Sequence, residues 1–233
     1  APGALDDLAA RVVAEGADAG LAYDGDADRL AMVDETGAAV YADRLLALLA
    51  GEALRAHPGG RVVYALTCTQ ALPDRVAALG GEAIPCPVGY AFVHQAMREW
   101  EALLGGEAAG HLFFADPDFC FDDAFLATAH VLALLARAGR PFSALLDELP
   151  QYVRGPGRRF FCPEAAKARV VAAVGAEMAA LGYPIGRMDG VKVRFGEGWA
   201  LFRPSNTQPA VTLDCEARDE ARLAEIEALM ERA

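Results

Sequence analysis

The chain has 233 residues, a 54% hydrophobic composition and a net charge of −12, which describes a globular protein long enough for two domains or one large one with well-filled cores. The acidic balance argues against nucleic acid or an anionic membrane as partner, while leaving room for a local basic pocket for a small phosphate. The cysteines, at 68, 86, 120, 162 and 215, are odd in number and form no C-x-x-C pair, and no signal peptide is visible, so reduced thiols in a cytoplasmic protein are expected.

Leu5, Leu8, Val12 and Val13 follow helical spacing, and Gly16 is placed to end that helix. Two short apolar runs follow, residues 19–23 and 30–33, of the kind that buried strands show. Between them lies Asp24-Gly25-Asp26-Ala27-Asp28-Arg29. In an extended backbone residues i, i+2 and i+4 share a face, so Asp24, Asp26 and Asp28 converge and repel unless a cation sits among them. Hard carboxylate oxygens suit Mg²⁺ or Ca²⁺. A helix–loop–helix calcium site starting at Asp24 wants Gly at its sixth position and Glu at its twelfth; Glu35 fits, Arg29 does not, and the flanks read as strands. The reading is a strand, acidic loop, strand Mg²⁺ site, with a solvated acidic turn as the alternative.

Asp43 is placed to cap a helix carrying Leu45, Leu46, Leu48 and Leu49, and Pro58-Gly59-Gly60 breaks the chain before a strand over 61–66. A helix over 71–79 closed by Gly80-Gly81, a strand over 82–86 and a helix over 91–100 continue the alternation. This order predicts an α/β layered domain with a mixed or largely parallel sheet, whose ligands bind in the loops beyond the strand ends: 67–70, 88–91 and 105–111. The last of these offers Glu107 as an acceptor for sugar hydroxyls. It also offers His111, either as a phosphate contact or as a satisfied histidine at a strand start. A helix over 123–138 follows; its apolar run is shorter than the roughly 20 residues that cross a bilayer. Asp122 and Asp123 read as its caps rather than as a catalytic pair.

After a short helix over 142–149, Arg154-Gly155-Pro156-Gly157-Arg158-Arg159 reads as a linker into a small α+β domain. That domain shows a strand over 159–162, a helix from Pro163 to Gly182, strands near 191–194, 199–203 and 210–217, and a final helix from Asp219. Arg203-Pro204-Ser205-Asn206-Thr207-Gln208-Pro209 joins two of these strands. It combines a guanidinium, two hydroxyls, an amide and turn N–H groups, which are the donors a phosphate wants; the alternative is an ordinary turn closed by proline. His57, His94 and His130 have no metal-ligand neighbour in sequence. Ser143 and Ser205, the two serines, lie outside any G-x-S-x-G context, so a serine hydrolase has no support.

Taken together and in this order, Asp24 to Arg29, Gly106-Glu107-Ala108-Ala109-Gly110-His111 and Arg203 to Pro209 resemble the α-D-phosphohexomutase family, in particular its bacterial phosphomannomutase/phosphoglucomutase type. Tyr41 to Leu46 and Met188 to Val193 extend the resemblance over the chain. It implies that residues 1–38 are the end of the family's second domain with the metal-binding loop, 39–153 the α/β third domain with the sugar-binding loop, and 154–233 the α+β fourth domain with the phosphate-binding loop. The first domain, which carries the phosphoserine nucleophile, has no counterpart. By the same resemblance Asp24, Asp26 and Asp28 hold Mg²⁺, and Arg29 is catalytic, meeting phosphate beside the metal. Glu107, Ala109, Gly89 and Tyr90 face the sugar, and Arg203, Ser205, Asn206, Thr207 and His111 bind phosphate.

The activity so implied is an isomerase of carbohydrate metabolism, a cytoplasmic phosphoprotein that interconverts hexose 1-phosphate and hexose 6-phosphate through a bisphosphate. This chain alone is expected to be inactive. The sequence also departs from the family pattern. Ala109 stands where serine is usual, Thr67 replaces a strand-end lysine, Gly89-Tyr90 replaces Gly-His, and His94 replaces the lysine that follows. Each change removes or weakens a donor, so a non-catalytic sugar-phosphate-binding homologue is the alternative. A haloacid-type phosphatase would need Thr or Val after its Asp-x-Asp loop, and Arg29 counts against it.

Overall fold

In the computed structural model, which describes residues 3–115 and 121–233, the chain divides into two compact units, Ala1–Pro150 and Gln151–Ala233. The first begins with α1 (Asp6–Glu15), stopped at Gly16, and an antiparallel sheet of β1 (Ala19–Tyr23), β2 (Leu30–Asp34) and β3 (Ala39–Val40). Leu30 and Met32 of β2, 1% and 0% exposed, belong to the same core as the rest of the unit. Burying each such side chain contributes roughly 1.5–3 kcal/mol.

The alternating segments that follow give α2 (Ala42–Ala56), β4 (Arg61–Ala65), α3 (Ala71–Ala78), β5 (Glu82–Cys86), α4 (Tyr90–Glu99), β6 (Leu104–Gly106), β7 (Leu112–Phe114), α5 (Ala124–Ala138) and α6 (Phe142–Leu146). Strand order is β5-β4-β6-β7; β4 runs parallel to β5 and β6, and β7 is antiparallel to β6. The sheet is therefore mixed. A connection as short as 107–111 can only reverse the chain, because a parallel crossover needs a dozen or more residues. Leu45, Leu46 and Ala50 of α2 share this core with Val62 and Val63 of β4. Asp43 does not cap α2, as its position suggested. The residue preceding the helix is Tyr41, and the Asp43 carboxylate, 1% exposed, instead accepts the Thr69 N–H at 2.8 Å, fixing the β4–α3 connection.

The second unit consists of β8 (Val153–Arg154), β9 (Arg158–Phe161), α7 (Glu164–Ala180), β10 (Ile185–Gly186), β11 (Val191–Arg194), β12 (Gly198–Pro204), β13 (Ala210–Ala217) and α8 (Glu220–Arg232). Its sheet is wholly antiparallel, in the order β10-β11-β12-β13, with β8 and β9 both pairing with β13. The segment 154–159 is thus not a free linker: Arg154 is in register with Glu216 and Arg158 with Leu213. Val211, Leu213 and Cys215 alternate toward a core shared with Val171, Met178, Leu223 and Ile226 of the helices. Thr212 and Asp214 consequently take the opposite face, where Arg203 and Arg159 lie in register with Thr212.

Cys68, Cys86, Cys162 and Cys215 are buried and take part in no disulfide among the described residues; Cys120 lies outside the described residues. Burial, with Glu227 and Asp214 nearby, pushes the Cys215 thiol up to about 12, so it stays protonated and inert. Among the described residues no helix is long and apolar enough to cross a membrane.

Candidate functional site

The acidic loop is a turn rather than an extended segment. Ala27 donates to Asp24 O at 3.3 Å and takes a left-handed φ of 59°, a strained conformation for a residue with a Cβ. That bend brings one ligand oxygen from each of Asp24, Asp26 and Asp28 within 4.8 Å of one another. Arg29 answers part of the charge: its Nε lies 2.7 Å from Asp24 Oδ2 and 3.3 Å from Asp28 Oδ1, and its N–H donates to Asp24 Oδ1 at 3.2 Å. Slight desolvation pushes the Asp24 carboxyl up, but the Arg29 N–H, Asp28 and the guanidinium outweigh it and hold it below the usual carboxylate value. Arg29 is held above its ordinary value, since the two carboxylates outweigh its own desolvation. Within this group one guanidinium faces three carboxylates, so two negative charges are left over. A hard divalent cation matches both that charge and the all-oxygen donor set.

Two main-chain bonds fix the loop to its surroundings: Leu30 N–H donates to Gly110 O at 3.2 Å, and Ala124 N–H, at the start of α5, donates to Ala27 O at 3.2 Å. Gly110 has φ +120°, and a Cβ there would stand 2.9 Å from Arg29 Cβ, so glycine is required for the two loops to approach. Glu107, 4% exposed, accepts the Gly89 N–H at 2.7 Å, which places its carboxylate at the positive end of α4. Tyr90 opens that helix and is 59% exposed, with its ring centroid 6.0 Å from that of His111. Ala109 is exposed on the turn between them. Gly89, Tyr90, Glu107, Ala109 and His111 therefore gather beside the acidic loop.

His111 is almost buried, and its Nδ1 lies 2.6 Å from Asp122 Oδ2 and 3.8 Å from Asp28 Oδ2. Here the reading of Asp122 as a cap is corrected. Asp123 alone caps α5, accepting from the N–H groups of Phe125 and Leu126 at 2.8 and 3.1 Å, while Asp122 turns back to the histidine. Ser143 Oγ donates to Glu35, a purely internal bond that Ser143 N–H repeats at 3.1 Å.

In the second unit, Arg203 is the penultimate residue of β12 at 8% exposure, and its Nε donates to Asp189 Oδ2 at 2.8 Å. The adjacent Gly190 has φ +81°, and a Cβ there would fall 2.4 Å from Phe202 O, so the Asp189 turn can lie on this strand only with glycine. Arg203 Nη2 is buried without a hydrogen-bond partner among the described residues. Such an orphan donor costs roughly 1–3 kcal/mol unless something accepts from it. Ser205 is 8% exposed; its N–H donates to Ala210 O at 2.9 Å, and its Oγ accepts the Thr207 N–H at 3.4 Å. Asn206 and Thr207 are exposed. Burial pushes the neighbouring Asp214 carboxyl up, against the pull of Arg154, Arg203, Arg159 and Lys192.

Two participants escaped sequence reasoning, Asp122 and Lys167. Lys167 is 5% exposed, with its Nζ 2.8 Å from Ser205 O. A signal existed: Lys167, Val171, Val174 and Met178 share the i, i+4, i+7 spacing of a core-facing stripe.

Comparison with known proteins fits this geometry. Residues 41–153 match the family profile described as phosphoglucomutase/phosphomannomutase, alpha/beta/alpha domain III, and residues 159–233 match that of the C-terminal domain of the same family. The chain is 35% identical over 225 residues to a phosphomannomutase/phosphoglucomutase of Pseudomonas aeruginosa and 37% identical over 228 residues to a phosphoglucomutase of Neisseria gonorrhoeae. In both cases 97% of this chain aligns with 49% of the relative, so the chain spans about half the length of the curated relatives it matches. The crystal structure of a phosphoglucomutase/phosphomannomutase family protein from Burkholderia thailandensis superposes with a TM-score of 0.91 at 36% identity, covering 100% of this chain and 49% of that one. With both units matched in sequence and in fold, the chain belongs to the α-D-phosphohexomutase family, the family of phosphoglucomutase and phosphomannomutase.

Proposed function

We propose that the chain is the C-terminal part of a Mg²⁺-dependent, cytoplasmic phosphohexomutase that interconverts hexose 1-phosphate and hexose 6-phosphate through a bisphosphate. In this reading residues 1–38 end the second domain, 39–153 form the third and 154–233 the fourth. The observation that carries it is the convergence of Asp24, Asp26 and Asp28 within 4.8 Å, with Arg29 bridging two of them. These carboxylates would hold Mg²⁺, which when bound offsets charge on a moving phosphoryl group. Arg29 turns its guanidinium to the phosphate beside it. Glu107, positioned by the Gly89 N–H, accepts hydrogen bonds from sugar hydroxyls at a mouth bordered by Tyr90 and Ala109. His111, with Nδ1 taken by Asp122, presents Nε2 to a phosphate oxygen. In the second unit the buried orphan Nη2 of Arg203, with Ser205, Asn206 and Thr207, grips a phosphate.

Neither serine of the chain serves as the phosphoryl carrier. Ser143 is bonded to Glu35 and Ser205 is buried in the phosphate loop, so the phosphoserine belongs to another part of the whole protein. The test is a coupled assay on the full-length, phosphorylated protein with glucose 1-phosphate and mannose 1-phosphate. Turnover is expected, and Asp26→Ala should lower it by about a hundredfold or more. Sugar-phosphate binding without turnover would favour the second reading, a non-catalytic sugar-phosphate-binding homologue, which Ala109 and Thr67 support by withholding the donors usual at those positions.

A further inference from the structure

Lys167 is a cation in a place that disfavours one. It is the fourth residue of α7, in the first turn near the positive end of the helix dipole, and it is 5% exposed. Its salt-bridge partner Glu164, at 2.6 Å, has a side chain that is 81% exposed, so water weakens that pair. The buried acceptor is the Ser205 carbonyl, at 2.8 Å. A buried ammonium needs such a bond, but a methionine in its place would need none. The cation is therefore explained by what it does to Ser205.

No peptide bond among the described residues is cis. In a planar trans peptide the carbonyl of one residue and the N–H of the next point in opposite directions. By holding the Ser205 carbonyl, Lys167 fixes the Asn206 N–H on the far side of that peptide. It also polarises this N–H, because hydrogen bonds in a chain strengthen one another. The Ser205 N–H is held as well, by Ala210 O at 2.9 Å, so the peptides on both sides of Ser205 are anchored. Among the described residues the Asn206 N–H has no acceptor of its own. The loop also presents the buried, unpartnered Nη2 of Arg203. We propose that Lys167 is a positioning residue of the phosphate loop: through the Ser205 carbonyl it orients and polarises the Asn206 N–H as a backbone donor to the substrate phosphate, without touching the ligand itself. This rests on reading the loop as a phosphate site, and it adds a residue and a donor to that reading.

The test compares the full-length parent with Lys167→Met, which fills the same space without charge, and with Glu164→Gln. Two quantities are read: the Kd for glucose 1-phosphate, with KM and kcat where turnover occurs, and the hydrogen-exchange rates of the Asn206 and Thr207 amides without ligand. Lys167→Met should raise Kd and KM by about tenfold with a much smaller change in kcat, and should speed amide exchange in the loop, whereas Glu164→Gln should match the parent. Unchanged Kd and unchanged exchange in Lys167→Met would overturn the proposal. So would a loss confined to thermal stability. Should Lys167→Met not fold, Lys167→Gln, which keeps a donor but no charge, is read the same way with an expected increase of about threefold in Kd. If the parent binds neither glucose 1-phosphate nor mannose 1-phosphate, the phosphate-site reading fails on its own. Amide exchange then decides the role of Lys167: faster exchange upholds the clamp and equal exchange overturns it.

Discussion

With its Nε 2.7 Å from Asp24 and 3.3 Å from Asp28, the Arg29 guanidinium takes up part of the charge that a divalent ion would otherwise balance. A metal entering the loop must compete with it. Arg29→Gln should therefore bind Mg²⁺ about two- to fivefold more tightly in calorimetry, the range expected for removing an exposed competing ion pair, while mutase turnover falls. Weaker metal binding in Arg29→Gln would show that the arginine supports the ligand set instead of opposing the metal. The three carboxylates were legible because they are neighbours in sequence, so any compact loop brings them together. The Asp122–His111 pair was not, because the Asp-Asp doublet ahead of α5 offers two equivalent caps, and only the folded position of His111, just before β7, selects Asp122 as its partner.

The longer elements were readable in advance: α2 by its helically spaced leucines, α5 by its long apolar run, α7 by Pro163 at its start and Gly182 past its end, and β4, β12 and β13 by runs of strand length. β3, β6, β7, β8 and β10 have two or three residues each, too few for a period-two pattern to show, and their pairing is imposed by the strands beside them. β13 illustrates what such pairing brings together. Its outer face sets Asp214 among Arg154, Arg159, Arg203 and Lys192, yet burial prevails and the folded-state pKa is raised above the ordinary carboxylate value. A carboxyl raised on folding binds its proton more tightly in the native state. Stability is then lost as pH climbs from that ordinary value through the folded one, and the deficit persists above it. Asp214→Asn should raise the Tm at neutral pH, and the gain should disappear on acidification below the ordinary carboxylate range. Thermal melts of parent and variant from pH 3 to pH 7.5 check this; a gain that persists at the acid end would contradict it.

At the scale of the whole molecule, the described residues form one core in each unit, and the candidate site residues divide between the units: the acidic and Glu107 loops in the first, the Arg203 loop in the second. Because neither serine is placed to carry a phosphoryl group, the 233-residue chain alone should show no interconversion of glucose 1- and 6-phosphate with Mg²⁺ and glucose 1,6-bisphosphate in a coupled assay. Turnover by that chain would overturn the assignment of the nucleophile to another part of the protein. The two main-chain bonds that tie the acidic loop to Gly110 and to Ala124 have a bearing on how such a site diversifies. Both are made by peptide groups, which every amino acid except proline provides in full. Side chains at 67, 90, 94 and 109 can be exchanged without loosening those two bonds. A lineage, or a mutational library, can thus vary the side chains at these positions while the relative placement of the three aspartates and His111 is inherited unchanged.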